Sequence, residues 1–445
     1  GETMNDTSVT ASLTTLHNHC RNKKYDLVLL RVQAFPSEAG YRVELTGSTP
    51  LHEIVKHSDP PLNVVEALYH AYPAAITEAN KLGNTPLHLA ASNKVSLNPV
   101  ILVRRFIQIF KYRAPDLIKP FLVPNAEGDT PLHCACWILN VDLVCAIVTS
   151  YPTTATIRNE CGLTSLDIIT RHFNVAPVIK KALQILSDEK NVAISIDHTN
   201  CSNIDDRGKK NCACQNNNDN KGVVNPLLNF VCNQFIGGHQ FEDFWTMACM
   251  LIKALYYCRR SSTCGDGEYV CNKQQHIVHA CLGVQSVSKH TIFLALRLNP
   301  KELHEMDQDG NYPIHIAACN TIFNKKREMV INDNTIQDDK NQHSISNFEI
   351  DIFSLVVKAC PEIGGIQNKC GQTSLYLALS SGKCWYDGVE DIVNAARHSV
   401  VLRDSKTALF PFMMAAATSV TKSKSCLDTV YLLLRYCPEM NMFIG

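Results

Sequence analysis

Cys264, Cys271, His276 and His279, with Cys212 and Cys214 upstream, are the residues whose types best suit a metal ion. Thiolates and imidazoles are zinc ligands, and a complete set would fold the chain around the ion. Their spacing fits no familiar zinc module, and His276 and His279 fall on a helical pattern. They are therefore read as structural, and no metal is expected. His52-Glu53-Ile54-Val55-Lys56 starts like a zinc-protease helix, but Lys56 stands where the second His is required. Asp307-Gln308-Asp309-Gly310 starts like a calcium loop, but its Gly comes too early and no Glu closes it. The sequence has no Gly-x-x-x-x-Gly-Lys-Ser/Thr phosphate loop and no Gly-x-Ser-x-Gly elbow. A fold could assemble a Cys–His pair from 20 Cys and 17 His, but nothing local marks a nucleophile. The expectation is a protein that is not an enzyme, with no cofactor and no small-molecule substrate.

Charge and hydropathy narrow the partners. Lys plus Arg is 42 and Asp plus Glu is 42 in 445 residues, so the chain is neutral overall. Without a positive excess it is a poor counterion for nucleic acid and a poor coat for an anionic membrane. The longest apolar stretch, Phe241 to Cys258, contains Glu242, Asp243 and Lys253. It falls short of the ~20 apolar residues of a membrane span. The opening residues lack the apolar core of a secretory signal. Cysteines are scattered, and many sit inside apolar helical patterns: Cys134, Cys136, Cys249, Cys281, Cys319. Free thiols in a reducing cytoplasm or nucleus are expected.

The elements that position these residues come from a repeated phrase. Gly47-Ser48-Thr49-Pro50-Leu51-His52 recurs as Gly83-Asn84-Thr85-Pro86-Leu87-His88 and Gly128-Asp129-Thr130-Pro131-Leu132-His133. Weaker copies start at Gly162, Gly310 and Gly371, and a last one is read at Ser405-Lys406-Thr407-Ala408-Leu409-Phe410. Gly47 to Gly83 is 36 residues, Gly128 to Gly162 is 34, and Gly371 to Ser405 is 34. A second marker keeps phase: Pro73, Pro152, Pro300 and Pro361 each stand ten residues before a repeat Gly. The phrase reads as a helix start, with Thr as cap and Pro at the first helical position. Amphipathic second helices follow, such as Val64 to Tyr69 and Asp351 to Val357.

In these residues the sequence resembles the ankyrin-repeat family. The resemblance implies an all-α ankyrin-repeat solenoid of stacked helix-turn-helix units with short β-hairpin fingers. It also implies that His52, His88, His133 and His315 bridge backbone groups within and between units. Residues 1–36 are read as a degenerate leading unit or cap, and 37–187 as an N-terminal block of repeats. Residues 188–222 form a polar, Asn-rich insert without enough apolar surface to order itself. Residues 223–300 are degenerate helical repeats. Residues 301–445 are a C-terminal block with a polar insert at 324–347.

By the same resemblance, the function is that of a scaffold or adaptor holding another protein in the concave face of the solenoid. The finger tips carry the site: Lys81 and Leu82, Ala126 and Glu127, Glu160 and Cys161, Gln308 and Asp309, Lys369 and Cys370. Arg104, Arg105, Lys111 and Arg113 on one second helix are read as a solvated outer face. The alternative is the targeting or regulatory part of a larger enzyme or ubiquitin-ligase-type adaptor, its effector domain lying outside this chain.

Overall fold

The computed structural model describes residues 15–56, 60–94, 99–113, 120–173, 238–260, 276–320, 352–419 and 425–436. The inserts expected at 188–222 and 324–347, and Cys212, Cys214, Cys264 and Cys271, lie outside the described residues. The chain divides into two compact bodies, one of Gly1–His172 with Asp243–Gly445, the other Phe173–Glu242.

The described residues of the larger body are mainly helical and include no strand. In the N-terminal stretch α1 covers 15–21. It is followed by α2 (Tyr25–Ala34), α3 (Pro50–Val55), α4 (Leu62–Ala71), α5 (Pro86–Ala91) and α6 (Pro99–Arg113). Then come α7 (Pro131–Trp137), α8 (Val141–Ser150) and α9 (Ser165–His172). Further on are α10 (Gly238–Arg260), α11 (Ile277–Gly283), α12 (Lys289–Leu298), α13 (Pro313–Cys319) and α14 (Ile352–Ala359). The last are α15 (Ser374–Ser380), α16 (Glu390–Ala395), α17 (Pro411–Ser419) and α18 (Ser425–Tyr436). None of the described helices is long and apolar enough to cross a membrane.

The repeated phrase starts the short helices in the way its residues dictate. Pro50, Pro86, Pro131, Pro313 and Pro411 each stand first in a helix, where the missing N–H costs no bond. Thr49, Thr85 and Thr130 cap α3, α5 and α7 with extended backbone. One Leu per phrase (Leu51, Leu87, Leu132) is completely buried or nearly so. Small residues behind it, Ala90, Ala91, Ala135, Ala317, Ala318 and Ala378, are also buried. They let successive short helices pack: α3 on α5, α5 on α7, α7 on α9, then α11 on α13, α13 on α15 and α15 on α17. The second helices of the units pack in the same way, α2 on α4, α6 on α8, α12 on α14 and α14 on α16. Phe106, Phe121 and Phe353 are among the largest fully buried side chains. A Pro closes several second helices and opens a tight 3₁₀ turn, as at Pro36–Gly40, Pro73–Ile76, Pro152–Thr156 and Pro300–His304.

Two expectations change. Among the described residues the fingers are closed turns rather than β-hairpins, and only Gln367 and Thr373 form an isolated antiparallel bridge. The last copy of the phrase also starts later than Ser405. Ala408 donates its N–H to the Asp404 carbonyl at 2.9 Å, and Asp404 donates to Leu409 at 3.0 Å. The turn at Gly47 is built the same way, with Gly47 bonded to Val43 and Val43 to Ser48. Ala408 (φ 56°) thus takes the left-handed place of Gly47 (φ 69°). The true copy is Ala408-Leu409-Phe410-Pro411-Phe412, which puts Pro411 at its helix start.

Candidate functional site

The turns are built around one amide or carboxylate each. Asn80 Oδ1 accepts the N–H groups of Leu82 and Asn84, both at 3.0 Å. Asn125 does the same for Glu127 and Asp129, Asp307 for Asp309 and Asn311, and Asn368 for Cys370 and Gln372. The side chain takes the N–H groups that a strand partner would otherwise take, so no hairpin ladder is needed. The fourth residue of these turns is a left-handed glycine, Gly83 (φ 74°) for example.

Successive turns are tied to one another. Lys81 N donates to Thr46 O at 2.9 Å, Ala126 N to Leu82 O at 3.2 Å and Glu160 N to Glu127 O at 3.2 Å. A parallel chain of amides runs behind them. Asn125 Nδ2 donates to Asn84 Oδ1 at 3.0 Å, Asn159 Nδ2 to Asp129 Oδ1 at 2.9 Å and Asn368 Nδ2 to Asn311 Oδ1 at 2.8 Å. Sequence reasoning missed this ladder. Its signal was present: Asn or Asp three residues before most repeat glycines.

All ten candidate tip residues are exposed or nearly so: Lys81, Leu82, Ala126, Glu127, Glu160, Cys161, Gln308, Asp309, Lys369 and Cys370. Their side chains are not equally available. Among the described residues Lys81, Glu127 and Glu160 make no ion pair. Asp309 is paired with Arg260 at the end of α10, and Arg260 also holds Asp307 at 2.9 Å. Lys369 Nζ reaches back to the Gln308 carbonyl at 2.9 Å. The Cys370 carbonyl accepts the Ser405 hydroxyl at 2.5 Å.

The imidazoles fasten each unit to the next. Thr49 N donates to His52 Nδ1 at 3.2 Å, and His52 Nε2 donates to Asn84 O at 3.0 Å. His88 repeats this with Thr85 and Asp129, and His133 with Thr130 and Leu163. His315 reaches Ile366 O at 3.0 Å. An Nδ1 that accepts and an Nε2–H that donates make each ring neutral. Burial pushes His52 and His88 down to about 4 and lowers His133 and His315. Two further rings do the same work without the full phrase. His17 meets Ser48 O at 3.0 Å, and His279 meets Asn311 O at 3.0 Å. In the remaining units Asp167 accepts from Thr164 N at 2.9 Å, and the Tyr376 hydroxyl meets that of Thr407 at 2.8 Å.

This places two of the six metal candidates. His279 is a bridging ring, and His276 caps its helix and pairs with Glu305 at 3.0 Å. Unlike the other bridging rings, His279 has an Nδ1 that is buried without a hydrogen-bond partner. Among the described residues no three His, Cys, Asp or Glu side chains converge on a common point. The described cysteines are free thiols, and burial pushes Cys20, Cys134 and Cys360 up to about 12, outside the range of a reactive thiolate. On the second-helix layer, Arg104 is exposed and Arg105 pairs with Glu66. Lys111 and Arg113 lie where side chains are not described. No family model matches the chain, and no curated protein matches it.

Proposed function

We propose that the chain is an ankyrin-type repeat solenoid that holds a partner protein across its turn tips and first helices. One observation carries this reading. The scaffold bonds of the turns are made by backbone groups, Asn or Asp side chains and imidazoles, so the tip side chains of Lys81, Leu82, Glu127 and Glu160 are left over. Leu82 is 67% exposed and the neighbouring Leu45 is 87% exposed. A fixed frame presenting mixed charge and apolar groups at regular spacing suits a protein surface. Binding energy is expected to concentrate in a few of these residues.

The test is capture of partners from the native cell by the tagged chain, identified by mass spectrometry. Lys81→Glu, Leu82→Ser and Glu127→Lys should each reduce capture of the same partner while leaving helix content intact. If those variants capture normally and Arg104→Glu does not, the second-helix layer carries binding and the reading fails.

A further inference from the structure

The first helices of the N-terminal stretch present a row that the tips do not explain. Leu16, Leu51, Leu87, Leu132 and Leu166 are the equivalent buried leucines of five successive units. Five residues beyond each stand Arg21, Lys56, Ser92, Trp137 and Arg171, and all five are exposed. Equivalent places on stacked, equivalent helices fall in line, because each unit is bolted to the next at its turn. Lys94, also exposed, stands beside Ser92. The corresponding places in the C-terminal stretch hold Gly283, Cys319, Ser380 and Ala417, with neither charge nor ring.

Three acids of these helices and turns are already engaged, the first of them by two members of the row itself. Glu53 is buried and meets Lys56 at 3.1 Å and Arg21 at 3.8 Å. Asp129 accepts Asn159 on one oxygen and the Trp137 indole N–H on the other, at 3.2 Å. Asp167 is held by Thr164 and lies 3.8 Å from Arg158. Among the described residues Lys94 and Arg171 have no ion-pair partner.

Cations near helix C-termini also steady the helix dipole, by roughly 0.3–1 kcal/mol each. That accounts for Lys56 or Arg171 taken singly. It does not account for Trp137, which is 46% exposed and fixed in direction by Asp129. An exposed ring that is already oriented loses little freedom on contact, and Trp and Arg dominate binding hot spots.

We infer that the row Arg21–Lys56–Ser92–Trp137–Arg171 receives an acidic segment of a partner protein, one that sets an aliphatic or aromatic side chain against Trp137 between its carboxylates. Charge complementarity selects the acidic segment. The neutral chain as a whole and the unpaired Glu127 and Glu160 on the neighbouring tips disfavour a long polyanion such as nucleic acid. The inference rests on the protein-binding reading above and names the partner's chemistry.

Fluorescence anisotropy of a labelled Glu-Glu-Leu repeat peptide with the whole chain tests it, using Ser-Ser-Leu and Lys-Lys-Leu repeats as controls. The acidic peptide should bind and the controls should not. Trp137→Ala should weaken binding by about thirty-fold, the scale of an aromatic hot spot. The double variant Lys56→Glu with Arg171→Glu should weaken it by about ten-fold or more and flatten its salt dependence. Arg104→Glu should leave it unchanged, and circular dichroism should show equal helix content throughout. Because the charge variants leave Trp137 and its Asp129 bond in place, they decide the matter if Trp137→Ala loosens the fold. No binding of the acidic peptide, equal binding of Ser-Ser-Leu, equal affinity for heparin, or retention by the charge variants each overturns the inference. If partner capture still depends on Lys81, Leu82 and Glu127 in that event, the protein-binding reading stands without it.

Discussion

Between 15 and 172, His17, His52, His88 and His133 reach the following turn in succession. Between 277 and 436, His279 and His315 do so, and then Tyr376 bonds a side chain, Thr407, instead of a carbonyl. The tips differ in the opposite sense. In the first stretch Lys81, Glu127 and Glu160 have side chains without ion pairs, whereas in the second Asp309 and Lys369 are bound to neighbours. Where the backbone and imidazole bolts are regular, the tips are left over for other uses. Where the phrase decays, side chains that could have met a partner help to hold the units together.

That contrast can be broken at its core first. Leu132 and Leu375 are both fully buried at equivalent places. Replacing either by Ala should cost about 2–5 kcal/mol, measured by urea unfolding. Equal losses are expected if packing holds both stretches alike. A much smaller loss at Leu375 would show that the second stretch already folds loosely.

Gly83→Ala attacks the ladder itself. The added Cβ would stand 2.4 Å from Ala126 N and 2.9 Å from Asn125 C, in a left-handed conformation. The strain of φ alone is about 1–2 kcal/mol, and moving the neighbouring turn adds to it. Amide exchange at Ala126 should accelerate with the loss of its bond to Leu82; protection equal to the wild type would show that the tip bond contributes nothing.

Acid should separate the stretches more gently. The folded rings of His52, His88 and His279 titrate near 4, below the ordinary value of 6.5. The unfolded chain therefore takes up protons first. The stability these rings give is complete above about pH 6.5 and is lost as pH falls from there to 4. Each ring contributes on the order of 1–3 kcal/mol. Exchange in α3, α5 and α7, with three bridging rings, should rise before exchange in α15 and α17, where Tyr376 makes the bridge. Simultaneous loss would mean that the imidazoles do not set the order.

The smallest change runs the other way. Ala408 sits at φ 56°, where Gly is at ease. Ala408→Gly should raise stability by up to about 1 kcal/mol, while Ser405→Gly should not. The reverse result would restore Ser405 as the repeat position.

Much of the helical pattern was legible because Thr-Pro-Leu states a cap, a helix start and a core residue in three letters; the bridging role of the His that follows came from the resemblance. His17 was hidden because Thr15-Leu16-His17 lacks the Pro, and His279 because His276-Ile277-Val278-His279 lacks both Thr and Pro. Both rings were recoverable only from where the neighbouring turn brings its carbonyl. Ser405 was misread because Lys406-Thr407-Ala408-Leu409 imitates the phrase, while the turn geometry makes Pro411 the helix start. The tip residues follow from the resemblance, but which of them are tied down depends on Arg260 at the end of α10 and on the Gln308 carbonyl that Lys369 reaches. The Arg21–Arg171 row shows only when helices are stacked, since its members lie in five different units.

The tip, amide and imidazole bonds between units each join one unit to the next. Such an object has an extensional response as well as a shape. Drawn out by its ends, it is expected to yield one unit at a time, each releasing about 34 residues, or roughly 10 nm of slack. The units between 277 and 436 hold fewer imidazole bolts and should give way at lower load. Under such a pull the section with fewer imidazole bolts is expected to lengthen first, while the more regularly bolted section stays folded.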